Sequence, residues 1–146
     1  AVRKEVSRVL RFSVTISEWL FNGLMNYEVL TLDRGYFSLT KSIERRLYEI
    51  ARKHCGDQPL WKVNIDLLAD KIGTTQERYR FRDELRQAIT GDRLPEYHIA
   101  LDSKKSPDDV VFYTRNPSKL SKELLRSQNY EWFQGLERYD KKPRTA

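Results

Sequence analysis

Two six-residue runs on either side of a polar connector leave few folds open to this chain: YHIALD (Tyr97–Asp102), then SKKSPD, then DVVFYT (Asp109–Thr114). Alternation with period two places successive side chains on opposite faces of a strand, and two such runs joined by a short polar segment with a proline read as an antiparallel hairpin. The connector carries Lys104 and Lys105, which gives the hairpin a basic tip.

Upstream of the hairpin the apolar period changes from two to that of a helix. Ile43, Leu47, Ile50 and Ala51 recur at helical spacing in IERRLYEIARKHC, with Ser42 as the expected cap and Gly56 as the stop. Trp61-Lys62-Val63 reads as a short strand, and Asn64 as the cap of IDLLADKI, which ends at Gly73. Thr74 followed three residues later by Glu77 predicts a capping box for a third helix reaching about Ile89. Helix, short strand, helix, helix, hairpin is the order of a winged helix, a helix-turn-helix flanked by a β-hairpin. The expected class is therefore α+β.

The flanking segments are read as extensions of that unit. VLRFSVTI (Val9–Ile16) alternates as a strand, Ser17 caps a short helix with Trp19, Leu20, Phe21 and Leu24, and EVLTL (Glu28–Leu32) and YFSL (Tyr36–Leu39) suggest two strands around the turn Asp33-Arg34-Gly35. Past Asn116-Pro117 a fourth helical pattern runs through Leu120, Leu124, Leu125, Trp132, Phe133, Leu136 and Tyr139, and Ser127-Gln128-Asn129 divides it. The polar tail DKKPRTA is expected to fray. These readings give a lead-in over 1–35, a winged helix over 36–115 and a helical extension with a basic tail over 116–146.

The partner is the next question. Charged residues make up 33% of the chain and hydrophobic ones 39%, the balance of a globular domain with a highly charged surface. A net charge of +6 favours an anionic partner. The third helix contains RYRFRDELRQAI, and with Arg78 set at zero on a helical wheel Phe81, Leu85, Ala88 and Ile89 share one arc of about 100° as the core side. Arg82 and Arg86 fall about 40° and 80° round, Tyr79 near 100°, Asp83 near 140°, Gln87 near 180° and Arg80 near 200°. Guanidinium forks, a phenol and an amide are groups that bond base edges and phosphates. The competing reading is a solvated face on which Glu77, Asp83 and Glu84 neutralise arginines three or four residues away. Lys41, Ser42, Arg45 and Arg46 at the start of the first long helix, Lys71, Thr74, Thr75 and Gln76 around the turn, and Lys104 and Lys105 at the tip complete the candidate surface. The backbone N–H groups around Ser42 and Thr75 add donors for phosphate.

Chemistry beyond binding has little support. Cys55 is the single cysteine, so an internal disulfide is impossible; a reducing, cytoplasmic setting fits, and a structural thiol is the simplest role. His54 and His98 form no metal-binding pair, His98 reads as a structural histidine of the wing, and no phosphate-cradling glycine loop is present. No apolar run is long enough to span a membrane and no secretory leader is visible. Neither catalysis, metal nor cofactor is expected. A strand-nicking tyrosine is the weakest alternative, and a dimerisation or protein-interaction module, motivated by Trp132 and Phe133, the stronger one.

The segments YFSLTKSIERRLYEIARKHCGDQPLWKVNIDLLADKIGT, YRFRDELRQAI, DRLPEYHIALD and VVFY resemble plasmid replication initiators of the RepA type, over roughly Arg11 to Tyr113. RRLYEIARKHCGDQ together with LPEY carries the specificity of the match. The resemblance implies an initiator that recognises repeated origin sequences (iterons) through winged helices and helps open the duplex. It also implies recruitment of host helicase, loader and initiator proteins, no enzymatic activity, and often an exchange between a repressing dimer and an initiating monomer. Two winged helices are common in such proteins; one is visible here, so the resemblance implies a fragment, the C-terminal DNA-binding half. It places Tyr79, Arg80, Arg82, Asp83, Arg86 and Gln87 on the exposed side of the recognition helix and Ser42, Arg45 and Arg46 where DNA-backbone contacts are expected.

Overall fold

A computed structural model describes residues 11–26 and 29–139, which fall into two compact units, Ala1–Thr31 and Leu32–Ala146. Among the described residues the protein is α+β, with six α-helices and one three-stranded antiparallel sheet.

The first unit holds α1 (Glu18–Met25), started by the Ser17 hydroxyl accepting from the Leu20 N–H at 3.3 Å. The strand expected over Val9–Ile16 is absent from Arg11–Ile16, while Val9 and Leu10 lie outside the described residues. Phe12 and Val14 are largely exposed, so the alternation has no sheet to bury it. A strand without a ladder partner leaves its backbone groups to water.

A further departure follows. Val29–Thr31 at the end of the first unit and Leu32 at the start of the second form no strand, Glu28 lies outside the described residues, and Arg34–Ser38 in the second unit is a 3-10 turn instead of part of a hairpin. The Asp33 carboxylate accepts from the Gly35 N–H at 2.7 Å, which bends the chain locally in preference to extending it. The Tyr48 hydroxyl accepts from the Asp33 N–H (2.8 Å) and donates to Glu96 (2.7 Å), fastening this turn to the helical core.

Next come α2 (Ser42–His54), β1 (Leu60–Asn64), α3 (Ile65–Ile72), α4 (Arg78–Gly91), β2 (Tyr97–Asp102), β3 (Asp109–Thr114), α5 (Pro117–Ser127) and α6 (Tyr130–Gln134). The hairpin limits match the alternating runs, and the break at Gln128, whose φ is 55°, divides the last helical pattern as Ser127-Gln128-Asn129 predicts. Lys41 and not Ser42 occupies the cap of α2, with no side-chain bond. Gly56, at φ 55°, ends that helix by donating to the Ala51 carbonyl, a left-handed position that suits glycine.

The strand order is β1-β3-β2, with Trp61 and Ile99 flanking Phe112, and Val63 and Leu101 flanking Val110. Those residues meet Leu47, Tyr48, Leu68, Phe81 and Leu85 from α2, α3 and α4 in the main core. Ala100, Val111 and Tyr113 form a second apolar cluster with Leu136, backed by Leu120, Trp132 and Phe133. Trp132 and Phe133 are therefore packing residues and not the exposed partner surface expected of them. The Trp132 indole N–H donates to Asp102 at 2.8 Å, and Phe133 meets Tyr113 edge-on at 4.9 Å. Both sheet faces are thus covered, and Glu137 pairs with Leu101 through two backbone bonds of 2.8 and 3.0 Å on the outer edge of β2. The tail DKKPRTA lies outside the described residues.

Cys55 is buried, with its thiol 3.4 Å from the Gln58 carbonyl, and burial pushes it up from 9.0 to about 11. The folded state therefore keeps the thiol proton to higher pH than the unfolded chain. This contribution is whole below about pH 9 and is lost as pH rises through about 11. Unfolding measured over that window is expected to show a steeper loss of stability for the wild type than for Cys55→Ala. Identical pH profiles would contradict it.

Candidate nucleic-acid interface

The turn that presents α4 is fixed at both ends. Gly73, at φ 78°, closes α3, and the Thr74 hydroxyl accepts from the Gln76 N–H at 3.2 Å. That short-range bond spends the acceptor the capping box required, so the box does not form. Glu77 holds the cap position without a side-chain bond, and α4 starts at Arg78. Thr74, Thr75 and Gln76 consequently lie in the connection, and the Gln76 amide donates to Glu84 at 3.1 Å.

Phe81, Leu85, Ala88 and Ile89 of α4 are buried, as the wheel predicts, while Tyr79, Arg80, Asp83, Arg86 and Gln87 are exposed. The arginines differ in what holds them. Arg78 Nε lies 2.7 Å from Asp66 at the start of α3. Arg82 pairs with Asp108 at the end of the hairpin connector, a carboxylate whose side chain is only 11% exposed. Arg86 is 3.7 Å from Asp83, donates to the Tyr139 hydroxyl at 3.2 Å and lies over that ring. Arg80 donates from Nε to the neighbouring Tyr79 hydroxyl at 3.0 Å. The competing view of a self-neutralised face thus applies to one pair along the helix, Arg86 with Asp83; the other carboxylates reach in from outside α4.

The first turn of α2 faces α4 across two clefts. One, of about 340 Å³, is lined by Lys41, Ser42, Ile43, Glu84, Gln87 and Ala88, and the other, of about 230 Å³, includes Ser42, Arg46, Thr74 and Gln76. The structure therefore gathers Lys41, Ser42, Thr74, Gln76 and Gln87. Arg45 turns away to donate to the Leu39 carbonyl at 2.7 Å, and Arg46 donates to the Lys71 carbonyl at 2.9 Å and to Glu49 at 3.1 Å. These arginines brace α2 against its neighbours. Lys104 and Lys105 are exposed at the connector, and the Asp109 carboxylate, 2.9 Å from Lys105, holds its ammonium above the usual lysine value. The Arg82–Asp108 pair ties α4 to the connector that carries both lysines.

A second polar cluster escaped sequence reasoning. Arg115 donates to the Asp92 carbonyl (2.8 Å) and carboxylate (2.9 Å) and to the Leu94 carbonyl (2.9 Å), while His98 lies 2.8 Å from Asp92. These groups adjoin a cavity of about 470 Å³ lined in part by Asp92, His98, Tyr113 and Arg138. The left-handed backbone of Asp92, at φ 47°, brings its carboxylate and carbonyl together, and no local spacing announces it. Among the described residues no group of acidic, histidine and cysteine side chains is arranged to hold a metal, and no helix is long and apolar enough to cross a membrane.

The family model described as "RPA: Replication initiator protein A" matches residues 1–99. A "Putative replication protein" of Wigglesworthia glossinidia brevipalpis is 35% identical over 102 residues, covering 70% of this chain and 36% of that protein. The chain thus spans about a third of the length of this curated relative. No solved structure matches it. With two thirds of its residues matched by that model, the chain belongs to the replication initiator protein A family.

Proposed function

We propose that the protein takes part in the initiation of plasmid replication by binding double-stranded DNA at origin iterons, with α2, α3, α4 and the β2–β3 hairpin acting as a winged helix. The observation that carries this reading is α4 itself: one side is locked into the core, the other offers Tyr79, Arg80, Arg86 and Gln87 to solvent, and Arg82 joins it to the lysine-bearing connector. In this reading α4 enters the major groove, the open N–H groups at the start of α2 meet a phosphate, and Lys104 and Lys105 contact the flanking backbone. The protein acts by binding and by recruiting host replication proteins, not by catalysis, and works in the cytoplasm.

Electrophoretic shift titration of iteron and scrambled duplexes at several salt concentrations tests the reading. Tighter binding to iterons is expected, with Lys104→Ala weakening both duplexes alike and reducing the slope of log affinity against log salt by about one. Equal wild-type affinity for the two duplexes would remove the specificity.

A second reading, a dimerisation or partner-binding module, draws on Leu125 of α5, which is 76% exposed, and on a cavity of about 490 Å³ lined in part by Leu120, Leu124, Tyr130 and Phe133. Sedimentation distinguishes the two: a stable dimer indifferent to duplex supports the second.

A further inference from the structure

Four arginines lie on α4, but three are already committed within the protein. Arg82 cannot turn toward a ligand without leaving the nearly buried Asp108 carboxylate unpaired. Arg78 neutralises Asp66, and Arg86 is shared between Asp83 and the Tyr139 ring and hydroxyl. Arg80 differs: among the described residues it has no carboxylate within ion-pair distance, and its bonded neighbour is the neutral Tyr79 hydroxyl.

That neighbour also decides which edge of the guanidinium is available. A guanidinium can meet a pair of acceptors side-on, through Nε and one Nη, or end-on, through both Nη groups. The Tyr79 hydroxyl occupies Nε, and the end-on fork is left over. Tyr79, 61% exposed, supports the arginine from one side, with the guanidinium carbon 5.8 Å from its ring centroid. In a duplex major groove, guanine is the base that presents two adjacent acceptors, O6 and N7, to such a fork.

Resting on the duplex-binding reading above, we infer that Arg80, steadied by Tyr79, reads a guanine in the target site, while Arg78, Arg82 and Arg86 orient α4 and contribute charge. Lysine at position 80 would preserve the charge and lose the planar fork, so it separates base reading from a phosphate contact.

The test begins with selection of tight-binding duplexes from a randomised library by the full chain. Affinity is then measured for the enriched duplex and for versions with each guanine replaced by adenine. For one guanine, replacement is expected to cost the wild type roughly 5- to 150-fold. Arg80→Ala is expected to bind both versions within about twofold, whereas Arg80→Lys, whose ammonium still donates but without the planar fork, is expected to keep only part of the wild-type ratio while retaining the wild-type salt dependence. Arg82→Ala is expected to keep the wild-type ratio between the versions even where its affinity for both falls. The assignment is overturned if Arg80→Ala keeps the wild-type ratio, or if Arg80→Lys restores it in full. A wild type that enriches no sequence removes the duplex-reading proposal and this assignment with it, whereas enrichment with an unaltered Arg80→Ala removes the assignment alone.

Discussion

Phe81→Ala is expected to lower unfolding stability by about 3–5 kcal/mol, the range for removing a fully buried phenylalanine. The ring is wholly buried on the inner side of α4 and belongs to the main core with Leu47, Leu68 and Phe112. It also sits beside Ile43 and Ile72 under the cleft between α2 and α4, so partial collapse of the resulting void would move the helix that carries Tyr79 and Arg80. Urea unfolding followed by circular dichroism measures the loss. A change under about 1 kcal/mol would mean that α4 is not anchored through this ring.

Arg82→Ala is expected to cost about 2 kcal/mol, more than an exposed ion pair is worth and less than a fully buried one, because the two side chains are 37% and 11% exposed. Most of that cost is the stranded Asp108 carboxylate. The double variant Arg82→Ala, Asp108→Ala should therefore be more stable than Arg82→Ala alone, and a double-mutant cycle reads the coupling directly. Additive effects would show that the pair does not fasten the connector to α4.

Sequence periodicity anticipated β2, β3, α3 and the inner side of α4 because each is governed by local alternation or by one apolar stripe. It anticipated the Ser17-capped α1 but failed on either side of it, at Arg11–Ile16 and from Val29 to Leu39, where short alternating runs resemble strands; at the second, the Gly35 N–H donating to the Asp33 carboxylate selects a 3-10 turn. The same kind of local competition, from Thr74 to Gln76, displaced the start of α4 to Arg78. At the candidate site the residue types were readable and their availability was not. Asp66 and Asp108, which engage Arg78 and Arg82, come from other elements and follow no helical spacing. Likewise Trp132 reads as a free aromatic until Asp102 is seen to receive its indole N–H.

The coverage of the sheet on both sides bears on how far the molecule can be trimmed. A chain cut after Arg115 would keep every strand and the whole of α4, yet it would bare an oily patch of Ala100, Val111 and Tyr113 and unseal the rim of β2 where Glu137 now closes it. Such a stub would be prone to clump with its own copies, so the last two helices serve as a lid that keeps the hairpin from becoming sticky.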